Sequence, residues 1–160
     1  MNEEQKNKIR VRNYRKSDYE QTLVLMEEMS EVFEFYFDKE KWNKSAGLRL
    51  FQPGYSRTTL VAEIKGEIVG MGFIELQKDA NGLNIGYLSN WGVKKGHRGE
   101  GVGKILADKA ISMLTKMKAD LIRIKIAMNP DPTKVLKLVE TIGFEQKYIT
   151  VEKKITDKKI

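Results

Sequence analysis

Polar and apolar residues first alternate at residues 9–12, where Ile9 and Val11 oppose Arg10 and Arg12, and a period of two predicts a strand. "SDYE" follows, with Ser17 placed to cap a helix and Glu20 placed to close a capping box. That helix gathers Leu23, Val24, Leu25, Met26, Met29 and Val32 into a broad apolar face and sets Glu27, Glu28, Glu31 and Glu34 on its other side. "DKEKWNKSAGLRLF" predicts a second helix ending near Gln52, Pro53 and Gly54.

The pattern then becomes strand-like. Residues 58–64 and 67–76 flank Lys65-Gly66, a hairpin signal, and Asn81-Gly82 marks another turn before "NIGYLSNWGV". Three successive antiparallel strands are expected, and in the last of them simple alternation puts Ser89, Trp91 and Val93 on one face and Asn90 on the other. From Gly101 the spacing turns helical, with Val102, Leu106, Ala110, Leu114 and Met117 in one stripe flanked by Ile105 and Met113. "LIRIKIA" alternates Ile122, Ile124 and Ile126 with Arg123 and Lys125, so a strand, a helix and a strand predict a parallel crossover. Asp131 and Pro132 serve as N-cap and first residue of a short helix over about 133–142, which Gly143 closes in the left-handed conformation. A final strand over about 144–155 completes an α+β chain with a mixed sheet.

Composition narrows the class. The chain has 160 residues, 41% hydrophobic and 32% charged, with no internal repeat or linker, so a single domain over 1–160 with its core at about 9–155 is expected. No leader-like segment opens it and no window approaches the roughly 18 apolar residues of a membrane span, so a cytoplasmic location with no membrane partner is expected. The absence of cysteine excludes a disulfide framework, a thiolate metal site and a cysteine nucleophile. His97 is the one histidine, so a histidine-rich metal site and a histidine dyad are excluded as well; no metal is expected, although carboxylate sites stay open. A net charge of +7 suits phosphates on nucleic acid, on an anionic membrane or on a nucleotide-like cofactor, and serves solubility equally well.

The chemistry-bearing stretch is "GHRGEGVGKIL". Glycines 99, 101 and 103 stand between Arg98 and Lys104 directly before the amphipathic helix, where unpaired N–H groups and the positive helix end attract anions. A Walker loop would need glycine at 98 and serine or threonine at 105, where Arg98 and Ile105 stand. The dinucleotide fingerprint would need a glycine at 104, where Lys104 stands, and no acidic strand end lies at the usual distance. What remains is R-x-x-G-x-G between a strand and a helix. Taken alone, this is either a structural turn or a phosphate cradle.

Three pieces together resemble the GNAT superfamily of N-acetyltransferases, from about Ile9 to Phe144: "WGVKKGHRGEGVGKIL", "IKIAMNPDPTKVLKLVETIGF" and the opening "IRVRNYRKSDYEQTL". The resemblance implies the acyl-CoA N-acyltransferase fold, a mostly antiparallel mixed sheet whose parallel strands 4 and 5 splay apart to hold acetyl-CoA. It implies that Arg98, Gly99, Gly101, Gly103 and Lys104 cradle the coenzyme's diphosphate, with Glu100 and Val102 as exposed spacers contributing backbone. Val93 would pair with the pantetheine arm and supply an oxyanion donor, Trp91 would line the cleft or the core, and Asn129 would reach the pantetheine. Transfer would proceed by direct attack of an amine on the thioester. Where several relatives keep a glutamate, this chain has Tyr87, the residue expected to handle the proton, with Ser89 and Asn90 ordering water. Where the family's usual helix 4 acid is tyrosine, this chain has Val139, leaving Tyr87, Tyr148 or water to protonate the thiolate. His97 is expected as a solvent-facing loop residue.

"EEMSEVFEFYFDKEKW" lies where the family builds its acceptor pocket, and its acids with Phe33, Phe35, Tyr36, Phe37 and Trp42 suit a cationic amine; they also suit a solvated helix face. The acceptor is expected to be a small-molecule or peptide amine, and a homodimer is compatible with the family. Two other classes stand beside the enzyme: an idle acetyl-CoA-binding regulatory module, suggested by Val139, and a basic nucleic-acid binder, disfavoured because aromatics and cations do not interleave.

Overall fold

The computed structural model describes residues 8–54, 56–128, 130–153 and 155. Its elements run β1 (Arg10–Asn13), α1 (Tyr19–Val32), α2 (Lys39–Lys44), β2 (Arg57–Ile64), β3 (Glu67–Lys78), β4 (Asn84–Val93), α3 (Val102–Lys116), β5 (Leu121–Ile124) and α4 (Thr133–Thr141). The five strands lie in chain order, antiparallel from β1 to β4, with β5 parallel to β4. The expected α+β mixed sheet is therefore present, and α3 is the crossover that a parallel pair requires.

Two cores sandwich the sheet. On one side α1 and α2 bury Leu23, Met26, Met29 and Trp42 against Val61, Ile68 and Met71. On the other, α3 presses Val102, Leu106, Ala110 and Leu114 onto Leu60, Val69, Ile74 and Leu88. The stripe read from sequence is the stripe that is buried, because a spacing of three to four residues keeps one helical face toward the sheet. The β2–β3 hairpin turns on Lys65 and Gly66 at φ 50° and 84°, the left-handed pair that matches strand twist.

Four local expectations are corrected. Ser17 is exposed and does not cap α1; it sits in a short 3-10 turn, Lys16–Asp18, and the capping carboxylate is Asp18, whose Oδ2 accepts the Arg15 N–H at 2.7 Å. Glu20 closes no capping box on α1, and the Asp18 carboxylate, which boxes the 3-10 turn, is also clasped by both terminal nitrogens of Arg12, from β1, at 2.7 and 2.9 Å. The second helix is cut at Lys44 and resumes as a 3-10 turn, Ala46–Arg49, whose Arg49 stacks 3.7 Å over the Trp42 ring. The β5 strand stops at Ile124, short of Ile126.

The largest correction is the last strand: residues 144–153 form no strand. The segment is attached to β5 by side chains, Arg123 over the Tyr148 ring at 5.2 Å and Lys125 to Glu152 at 3.2 Å, while Ile149 and Val151 are about nine-tenths exposed. An alternating pattern becomes a strand only where a backbone ladder receives it, and none does here.

Candidate active site

Strand pairing ends where the site begins. The last β4–β5 partners are Leu88 and Ile124, after which, among the described residues, residues 89–93 of β4 have no strand partner on that side. Two parallel strands that part in this way leave a wedge with an exposed backbone edge.

A bulge re-aims the side chains at the mouth of the wedge. Met71 pairs with Gly92 and Phe73 with Ser89, so Asn90 and Trp91 together face Gly72, and Asn90 takes φ 49°. Faces therefore switch along β4. Ser89 lies beside Phe73 on the α1–α2 side, whereas Trp91 rests on Gly72 and sends its Nε1 to the carbonyl of Gly103 in α3 at 3.3 Å. Gly92 turns back to α1, where a Cβ would lie 1.9 Å from the Met29 sulfur. Simple alternation had joined Ser89 to Trp91 and Val93; the inserted residue separates them, leaving Tyr87 and Ser89 on one face and Trp91 and Val93 on the other.

Beyond Val93 the chain makes a 3-10 turn, Lys95–His97, passes Gly99 and Gly101 at φ 82° and 79°, and enters α3 at Val102. The first amide of this helix to find an acceptor is that of Ile105, bonded to the Gly101 carbonyl at 3.1 Å. Among the described residues no acceptor reaches the N–H groups of residues 99–104. The space beside Gly99 is open, with no heavy atom within 4 Å of where a Cβ would stand. The free amides of the helix N-terminus, continued by those of the glycine turn before it, suit an oxyanion with several acceptor atoms.

The side chains of the loop have other employment. Arg98 donates from Nε to the Val93 carbonyl at 2.9 Å and from Nη2 to Glu28 Oε1 at 3.0 Å. Glu28 Oε1 also accepts the Lys95 N–H at 2.7 Å. Lys104 reaches Asp108 at 2.8 Å in the open. His97 is half-buried between Glu100, 3.0 Å away, and Glu67, 4.0 Å away. Glu67, held by Lys94, has its carboxyl lowered below the usual range by that hydrogen bond. Val102 is not an exposed spacer: it is 1% exposed, seated in the α3 core, and offers backbone alone.

On the α1–α2 face, register aligns Glu75 of β3, Tyr87 of β4 and Arg123 of β5 in one row. The half-buried Glu75 escapes a reading of sequence because its place beside Tyr87 depends on the hairpin and bulge registers. Glu28 and Arg123 were equally hidden, the first as one acid among four on its helix. The aromatics of the proposed cationic pocket are largely committed to the core: Trp42 is buried, edge-on to Phe37 at 5.8 Å and 6.1 Å from Phe73, with Phe33 and Phe35 packed against the same cluster. Tyr36 remains outside, its hydroxyl on Asp38. Of the acids, Glu27 pairs with Lys39 at 3.8 Å and Glu28 serves the loop. Val139 is buried, and its aliphatic side chain has no ionisable group. Asn129 lies outside the described residues.

A family model described as "Acetyltransferase (GNAT) family" matches residues 18–144. The chain belongs to the GNAT acetyltransferase family. Among solved structures, a GNAT-like backbone is shared with an acetyltransferase of Trypanosoma brucei at 19% identity and TM-score 0.73, covering 92% of this chain and 99% of that one. Glucosamine-6-phosphate N-acetyltransferase of Arabidopsis thaliana matches at 16% and 0.74, again over 92% and 99%. Ribosomal-protein-alanine N-acetyltransferase of Brucella melitensis matches at 16% and 0.72 over the same shares. At these identities the likeness establishes the GNAT fold. Comparison with curated protein sequences returns no match. Among the described residues no helix is long and apolar enough to cross a membrane.

Proposed function

We propose that this GNAT protein transfers the acetyl group of acetyl-CoA to an amine by direct attack in a ternary complex. The observation that carries the reading is the run of amides at 99–104 that have no acceptor in good geometry among the described residues, beside the end of the β4–β5 pairing. Those amides would take the diphosphate, with the loop cations as surrounding positive charge. The free edge of β4 at residues 89–93 would receive the pantetheine as an added strand, and an N–H on that edge would polarise the thioester carbonyl. Acetyl-CoA supplies the activated acyl carbon. The amine nitrogen forms the C–N bond, the C–S bond breaks, the ammonium proton leaves toward the protein, and the thiolate takes up a proton.

Tyr87 stands on the acceptor face beside Glu75, and the pair offers a relay for the proton that an alkylamine must lose, its pKa being about 10 by analogy with lysine. Ser89, one pair further along the same face, would orient the amine or a water. The thiolate, with a pKa near 8.5, is a tolerable leaving group without a dedicated acid. This agrees with the buried valine at 139.

That valine also favours a second reading, an idle acetyl-CoA-binding module. Acetyl-CoA added to the protein, with melting temperature and free-thiol release measured across amino sugars, aminoglycosides, polyamines and peptide N-termini, separates the readings. A raised melting point with amine-dependent thiol release supports the transferase. A raised melting point without release supports the module, and no effect on either measurement contradicts both.

A further inference from the structure

Glu28 sits in the third turn of α1, far in sequence from the glycine loop, yet one of its carboxylate oxygens receives both the Lys95 N–H at 2.7 Å and the Arg98 guanidinium at 3.0 Å. The same guanidinium holds the carbonyl of Val93, the last residue of β4, at 2.9 Å. Helix, strand end and loop entry are thereby joined through two side chains. The groups facing this junction are the charged residues of the strand ends and loop: Lys94 bonded to Glu67, and His97 between Glu67 and Glu100. The loop itself is built from glycines in the left-handed region, a segment with much conformational freedom to lose when a ligand orders it.

We propose that Glu28 is a positioning residue for coenzyme binding: by clasping Lys95 and Arg98 it fixes the loop entry so that the amides of 99–104 stand ready before the coenzyme arrives. Arg98, the cation that sequence assigns to the diphosphate, acts in this arrangement first as a strut. The inference rests on the coenzyme reading above and adds a residue on α1, the helix that bounds the acceptor side.

Charge and geometry pull in opposite directions here, which makes the proposal decidable. Removing a carboxylate near an anion site strengthens attraction for a diphosphate; removing the clasp loosens the loop that must receive it. The half-exposed setting screens the charge, so geometry is expected to win.

The experiment measures CoA binding by calorimetry and exchange of the Lys95 amide in the free protein, for the wild type, Glu28→Ala, Glu28→Gln and Glu20→Ala. Glu28→Ala is expected to weaken CoA about tenfold and to speed Lys95 exchange by about the same factor. Glu28→Gln keeps an oxygen acceptor for the amide and is expected to stay within about threefold of wild type in both. Glu20→Ala removes the same charge from an exposed position of the same helix and is expected to change neither. Glu28→Ala binding CoA as well as or better than wild type, or exchanging Lys95 no faster, overturns the proposal while leaving the coenzyme reading intact. Failure of the wild type to bind CoA overturns both.

Discussion

The indole of Trp91 lies directly on the bare Cα of Gly72: a Cβ added there would stand 2.0 Å from Trp91 Cε3. That contact seats Trp91 against α3 and lets its Nε1 bond the Gly103 carbonyl, so one missing methyl group on β3 shapes the wall of the β4–β5 wedge. Gly72→Ala is expected to cost about 1–3 kcal/mol by overpacking. It should also weaken CoA binding, whereas Ala at exposed Gly96, which has open space around it, should do neither. Thermal melts with and without CoA check this.

Gly101 holds φ 79° at the junction of loop and helix. Alanine there takes a left-handed conformation that costs about 1–2 kcal/mol, or relaxes and turns amides away from the wedge. Gly101→Ala is expected to lower the melting temperature by a few degrees and to weaken CoA by tenfold or more. An unchanged Kd in calorimetry would detach the loop conformation from binding.

Tyr87 and Glu75 share a register pair on the α1–α2 face of the sheet. With the best amine found by thiol release, Tyr87→Phe is expected to lower kcat roughly a hundredfold and to leave the KM for acetyl-CoA unchanged, as loss of a proton-transfer group does. Glu75→Gln should lower kcat while leaving the KM for acetyl-CoA unchanged. Full turnover in Tyr87→Phe removes that residue from the chemistry.

Much of this arrangement is legible in the order of residues. Helices α1 and α3, the two hairpins and the crossover follow from periodicity and turn residues, because each depends on local pattern and burial of one face. The glycine loop follows from three glycines and two cations before a helix. The β4 bulge does not: Asn90 tolerates a positive φ, but whether it takes one depends on the pairing with β3. Glu28 and Glu75 gain meaning only from elements remote in sequence. The alternation of residues 144–155 misleads for the same reason, since it specifies a strand without supplying a ladder.

Asp18 ties β1 to α1 through Arg12, whose other carboxylate partner is Glu63 at 2.7 Å. Burial pushes the Asp18 carboxyl up, and the hydrogen bonds from Arg12 and the Arg15 amide outweigh it, so the group lies below the usual carboxylate range. A depressed folded pKa contributes stability that is present above the ordinary carboxylate pKa and lost as pH falls through the folded one. Wild-type stability is therefore expected to decline on acidification below about pH 4. Arg12→Ala, which leaves a buried carboxylate without its cation, should cost about 3 kcal/mol near neutrality and flatten or reverse that decline. Urea titrations at a series of pH values provide the test.

The central claim is that the amides of 99–104 receive the coenzyme's diphosphate at the mouth of the β4–β5 wedge. A crystal structure with CoA bound measures it directly. The account predicts diphosphate oxygens within hydrogen-bond reach of several of those N–H groups and the pantetheine along residues 89–93. Diphosphate bound elsewhere, with the loop amides left to solvent, would contradict it.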